Sequence, residues 1–200
     1  MFTEVLQDSA LNLIRSGAVI GASCTSLSLS EAAQEELFSR IGFYRDRIVI
    51  RPQEVSNHPE LVRRLGLISM NTPIECDIYG NVNSTHVLGT RIMNGIGGSG
   101  DFARNAGLTI FATASTAKGG NISCIVPMCS HVDHTEHDVM VIVTEQGVAD
   151  LRWKSPRERA RCIIEHCAHP DFRPMLRAYF DAACAAGGHT PHLLAEALSW

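Results

Sequence analysis

The stretch VMVIVTEQGVADLRWKSPRERARCIIEHC, Val139 to Cys167, holds the local signals that decide the fold class. Its opening residues, Val139 to Val143, are continuously apolar, the pattern of a strand covered on both faces. After the turn-forming Glu145-Gln146-Gly147, Ser155, Pro156 and Glu158 supply the N-cap, first and third positions of a helix. The apolar face of that helix is Ala160, Ile163, Ile164 and Cys167. A buried strand feeding an amphipathic helix predicts a layered α/β domain, with a mostly parallel sheet flanked by helices and a helical C-terminal segment.

Upstream the same alternation recurs. Residues 3–15 read as a helix stopping at Ser16-Gly17, and Val19 to Ser23 as a short strand. Ser28 with Glu31 reads as a capping pair for a helix to about Arg40, and Arg47 to Arg51 as a strand. Asn57 with Glu60, and Pro59 in the first turn, predict a short helix with Leu61, Val62 and Leu65 as its stripe, ending at Gly66. Strands are predicted at Leu67 to Asn71, Ile74 to Tyr79, Leu108 to Thr113 and Ile122 to Met128, with a turn across Gly80 to Ser84. Downstream, a second helix runs to about Ala185, Gly187-Gly188 ends it, and the chain closes at Trp200 in another apolar, helix-like stretch. With no repeat, low-complexity tract or linker, residues 1–200 read as one domain.

Composition removes several function classes. Of 200 residues, 45% are apolar and 19% charged, enough to bury a real core. The 17 Lys and Arg stand against 21 Asp and Glu, with no run of like charge, so nucleic acid is not an expected partner. No apolar run approaches the roughly 20 residues that span a bilayer, so no membrane contact is expected. Met1 to Gln7 lacks a basic region and a long apolar region, which points to an intracellular chain: cytoplasmic, or mitochondrial in a eukaryote. The seven cysteines are odd in number and lack Cys-X-X-Cys spacing, so reduced, mostly buried thiols are expected.

Four groups could carry chemistry. Gly95, Gly97, Gly98 and Gly100 satisfy Gly-X-Gly-X-X-Gly, but no firm strand precedes them and no Asp or Glu occurs between Asp101 and Asp133. A dinucleotide site lacks its context. A glycine-rich loop that lets a ligand approach the backbone remains open, as does a plain tight connector. Glu54 follows a predicted strand and precedes a predicted helix, where ligands bind in open α/β sheets and where an ionised carboxylate is favoured; the alternative is a solvated surface residue. His131 to Asp138 offers six potential metal ligands in eight residues, or else a polar loop tied by internal hydrogen bonds. Gly147 lies at a strand's carboxyl edge, as a backbone donor or as a simple turn glycine.

Read together, RPQEVSNHPE (51–60), NTPIECDIYGNVNSTHVLGT (71–90), MNGIGGSGDFARNA (93–106) and SHVDHTEHDVMVIVTEQGVADLR (130–152) resemble the C-terminal half of the acetyl-CoA hydrolase/transferase family. They are most similar to its succinyl-CoA:acetate and propionyl-CoA:succinate CoA-transferase branch. The resemblance implies two similar α/β halves, of which this chain would be the second. It also implies transfer of CoA between an acyl-CoA and a small carboxylate such as acetate, succinate or propionate. Glu54 matches the glutamate that forms acyl anhydrides and a glutamyl-CoA thioester; Gly95, Gly97, Gly98, Gly100, Asn105 and Gly147 match substrate-pocket positions. No metal and no cofactor are implied, coenzyme A being a substrate, and the implied partner is the N-terminal half or a second copy. Two departures stand out: that half is absent, which predicts an exposed apolar face, and Trp153 occupies a turn position where relatives usually carry Gly. Alternatives to transfer are acetyl-CoA hydrolysis, a non-catalytic truncated binding domain, and a metal-dependent hydrolase on His131, His134 and His137.

Overall fold

A computed structural model describes every residue from Met1 to Trp200 and divides the chain into two units, Met1–Leu67 and Ile68–Trp200. The sequence does not announce the division, because Leu67 and Ile68 are consecutive apolar residues with no linker between them. Each unit has its own core.

The first unit comprises β1 (Val5–Gln7), α1 (Asp8–Arg15), β2 (Ala22–Cys24), β3 (Ser26–Ser28), α2 (Glu31–Ser39), α3 (Ile41–Tyr44), β4 (Ile48–Ile50), α4 (Gln53–Ser56) and α5 (Pro59–Arg64). β1 pairs with β3 and β2 with β4, both in parallel. Ala10, Leu11 and Ile14 of α1 face Leu6, Cys24, Leu37 and Tyr44 in the core. The predicted helix over 3–15 is corrected: its first residues form β1, because pairing with β3 outweighs local helical spacing. The capping pair is also corrected. Ser30, not Ser28, caps α2, accepting from the Ala33 N–H, and its own N–H and hydroxyl donate to the Asp8 carboxylate at 3.0 and 2.6 Å. Likewise His58, not Asn57, caps α5, because Asn57 is already used to close α4 and the residue before Pro59 must be extended.

The second unit runs β5 (Ile68–Asn71), β6 (Glu75–Asp77), β7 (Val82–Asn83), β8 (His86–Val87), β9 (Arg91–Ile92), α6 (Ser99–Asn105), β10 (Leu108–Ala112), β11 (Thr116–Ala117), β12 (Ile122–Ser123), β13 (Ile125–Val126), β14 (Val141–Thr144), β15 (Gly147–Asp150), α7 (Pro156–His166), α8 (Arg173–Ala186) and α9 (Leu194–Ala197). Its main sheet has the order β15-β14-β10-β5. β5, β10 and β14 are parallel, and β15 returns antiparallel as a hairpin edge. Behind the sheet, Ala160, Ile163, Ile164 and Cys167 of α7 and Leu176, Tyr179 and Phe180 of α8 bury against Phe111, Ile142 and Ala149. The mostly parallel α/β layering is therefore observed, and the capping box of Ser155 and Glu158 is present.

Two features differ from the sequence reading. The strand predicted over Ile122 to Met128 splits into β12 and β13, which pair with different strands, because the Ser123 hydroxyl donates to the Ile125 carbonyl and accepts from its N–H. The predicted Gly80–Ser84 turn is shorter, since Asp77 draws in the N–H groups of Tyr79 and Asn81 and the chain re-enters a strand at Val82. Ile68 and Met70 on the edge strand β5 are exposed.

A buried guanidinium fastens the helical layer. Arg159, only 8% exposed, donates from Nε to the Tyr79 carbonyl at 2.8 Å and from Nη2 to the carbonyls of Glu136 (2.8 Å) and Val139 (3.1 Å). Burial lowers its pKa from the ordinary value, and these carbonyl dipoles replace the water it has lost.

Candidate functional site

Glu54 stands at the carboxyl end of β4. Arg51 is pinned there by its N–H to the Cys24 carbonyl (2.8 Å) and its Nε to the Ser23 hydroxyl (3.0 Å), and extended Pro52 starts the single turn α4. Glu54 thus lies inside a helical turn, where the sequence suggests a loop, and it is exposed. The residues that follow have the opposite character. Ser56 Oγ and both polar side-chain atoms of Asn57 are buried without a hydrogen-bond partner. Each such group costs about 1–3 kcal/mol unless water or a ligand pairs it.

The glycine run belongs to the second unit. Gly95, Ile96 and Gly97 are exposed, Gly97 turns the chain at φ +55°, Gly98 is the residue before α6, and Gly100 lies in its first turn. Asn105 ends the same helix, its amide donating to the Asp101 carbonyl at 2.8 Å, so a helix length separates it from the turn. The start of α6 is fixed by His134, whose Nε2 lies 3.0 Å from the Ser99 hydroxyl and whose ring packs on Phe111, the penultimate residue of β10. The glycine turn therefore borders the carboxyl edge of the parallel strands, where ligands bind in such sheets.

Gly147 borders the same edge. It starts β15 after the two-residue turn Glu145-Gln146 that follows β14. The Glu145 carboxylate accepts from the N–H (2.8 Å) and hydroxyl of Ser115, in the segment after β10, and these bonds, chiefly from the Ser115 side chain, lower its pKa to about 2. The turn is thus tied across two strand ends. At Gly147 any side chain is strained: φ is +153°, and a Cβ would come 2.9 Å from the His166 carbonyl oxygen of α7.

The histidines of 131–138 disperse. His131 bonds Asp133 at 3.2 Å and lies against the His86 ring, His134 is 3% exposed on Phe111, and His137 projects outward beside Glu136. No three His, Cys, Asp or Glu side chains are arranged to hold a metal ion. All seven cysteines are free thiols, five of them buried, with Cys162 and Cys184 partly exposed. No helix is long and apolar enough to cross a membrane.

Trp153 adopts φ +62° with its side chain fully exposed, so the turn does demand the left-handed conformation. Sequence reasoning did not single out Arg159, Asp77 or the Glu145–Ser115 tie. Arg159 had a usable signal, since it falls one turn before Ile163 on the buried stripe of α7.

Residues 34–180 match the acetyl-CoA hydrolase/transferase C-terminal domain. The chain is 64% identical over its full length to a succinyl-CoA:acetate CoA-transferase of Clostridium kluyveri, of which it covers 37%. It is 54% identical over 98% of its length to a propanoyl-CoA:succinate CoA transferase of Escherichia coli, covering 39% of that protein. It is 53% identical to an acetyl-CoA hydrolase of Schizosaccharomyces pombe over 98% of its length, covering 40% of that one. Among solved structures, RipA from Yersinia pestis matches with TM-score 0.78 and 33% identity, over 92% of this chain and 43% of that one. A 4-hydroxybutyrate CoA-transferase from Porphyromonas gingivalis matches with TM-score 0.70 and 27% identity, over 91% and 45%. The chain thus spans about two fifths of the length of the curated relatives it matches. By the extent of the domain match and by its identity to full-length relatives, this chain belongs to the acetyl-CoA hydrolase/transferase family, as its C-terminal domain.

Proposed function

We propose that this chain supplies the nucleophile for CoA transfer between an acyl-CoA and a small carboxylate, completed by an N-terminal half. Glu54 is the nucleophile. Its carboxylate attacks the thioester carbonyl and CoA leaves as thiolate, giving an acyl-glutamyl anhydride. The thiolate then attacks the glutamyl carbonyl, the first acid leaves as carboxylate, and a glutamyl-CoA thioester remains. A second carboxylate reverses both steps, so no proton and no external energy source is consumed. The glycine turn (Gly95, Gly97, Gly98, Gly100) and Gly147 line the acyl and carboxylate pocket, while Asn105, a helix length from the turn, closes the helix that carries Gly100. Absent Cβ atoms allow close approach, and backbone donors stabilise each oxyanion. Coenzyme A is the substrate, and no further cofactor or metal takes part.

The observation that supports this reading is the place of Glu54 at a strand's carboxyl end, in a chain 64% identical to a protein named as a CoA-transferase. Water access selects between outcomes. Hydrolysis of the anhydride or thioester gives acetyl-CoA hydrolase activity, a second reading favoured by the relative of that name. The proposed setting is the cytoplasm, or the mitochondrial matrix in a eukaryote. The test is Glu54→Ala in the chain joined to an N-terminal half. Loss of transferase turnover with retained folding is expected, and full turnover would refute the role.

A further inference from the structure

The His-rich segment has a use that metal binding does not account for. Asp133 and His134 are anchored first by the backbone, since both N–H groups donate to the Val82 carbonyl at 2.9 and 3.0 Å. From there they reach opposite ends of the glycine turn. The Asp133 carboxylate accepts from the Ser84 N–H (2.7 Å) and the Thr85 hydroxyl (2.8 Å). The Thr85 carbonyl in turn accepts from the Met93 N–H at 2.7 Å, and the Ser84 carbonyl from the Asn94 amide at 3.2 Å. His134 holds the other end through Ser99, whose hydroxyl donates to the Ile96 carbonyl at 2.8 Å. That commits the hydroxyl proton, so the His134 Nε2 carries the hydrogen and donates to Ser99. Burial lowers the His134 pKa from its ordinary value.

We infer that Asp133 and His134 are positioning residues that clamp the two ends of the Gly95–Gly98 turn, fixing its backbone for acyl transfer. The catalytic half of this statement rests on the proposed function; the clamp does not.

The test uses the 200-residue chain for dynamics and the chain joined to its N-terminal half for turnover. In Ser99→Ala and in Thr85→Val, backbone ¹⁵N order parameters at Gly95, Ile96 and Gly97 are expected to fall from about 0.85 toward 0.6, with those of β10 and the melting temperature unchanged. His134→Ala is expected to act likewise, and His134→Gln, whose amide can donate near the Nε2 position, to restore rigidity. In the same variants kcat falls between about tenfold and a hundredfold while KM holds, because the turn is misplaced rather than removed. Unchanged order parameters in both Ser99→Ala and Thr85→Val, or a loss shared equally by β10, overturn the clamp. Loosening with unchanged kcat overturns the positioning role. Failure of the functional reading has a separate signature, undiminished turnover in Glu54→Ala.

Discussion

Replacing Gly147 by Ala isolates the strictest backbone requirement at the candidate site. The added Cβ meets two penalties. At φ +153° an L-residue is held where essentially only glycine goes, which costs about 1–3 kcal/mol. The new carbon also lies 2.9 Å from the His166 carbonyl oxygen, at the end of a helix whose apolar face is buried and whose backbone yields little. Relieving that contact adds on the order of 1–3 kcal/mol, as overpacking does elsewhere. The sum, about 2–6 kcal/mol, is a large share of the roughly 5–15 kcal/mol that holds a domain together. Gly187→Ala is the control. Gly187 also sits at positive φ (+91°) in this unit, with nothing within 4 Å of a Cβ, so it reports the backbone penalty alone. Urea denaturation of both variants measures the difference. If Gly147→Ala is no more destabilising than Gly187→Ala, the close approach of α7 to the turn is not a constraint.

Other outcomes follow from the same geometry. Arg159→Met leaves the Tyr79, Glu136 and Val139 carbonyls unpaired in the interior and should cost about 3 kcal/mol or more in denaturant titration; a loss under about 1 kcal/mol would deny the guanidinium its fastening role. Trp153→Gly relieves an exposed residue held at φ +62° and should stabilise by roughly 0.5–1 kcal/mol after the entropy of glycine is counted, raising the melting temperature by about 1–4 °C, whereas Trp153→Ala should change little. Burial raises the pKa of the Asp77 carboxyl to about 6 despite its hydrogen bonds from Asn81 and Tyr79. The folded state therefore binds this proton more tightly than the unfolded chain, and the stability from this group is complete below about pH 4 and lost as pH rises through about 6. A ¹³C titration placing Asp77 near the ordinary carboxylate value would contradict that.

The fold class was legible because its signals are local and redundant. The apolar run that becomes β14 and the Ser155-Pro156-Glu158 cap each point to one structure without help from distant residues. Where a distant partner decides, local reading fails. Residues 5–7 have helical spacing but pair with β3, and Ser28 looks like a cap until Asp8 selects Ser30. The site divides in the same way. Glu54 and Gly147 are visible as residue types beside strand ends, and the glycine turn as a composition alone. The tie from Glu145 to Ser115 joins residues 30 apart, and the path from His134 through Ser99 spans 35, separations that no spacing rule encodes.

Transfer through this chain requires the Glu54 carboxyl to become covalently acylated. The direct measurement is borohydride reduction of the chain, joined to its N-terminal half, during exposure to acyl-CoA, followed by mass analysis of the Glu54 peptide. The glutamyl thioester should be captured as the primary alcohol at Glu54, with CoA thiol released. Turnover with an unmodified Glu54, or modification at another side chain, would contradict it.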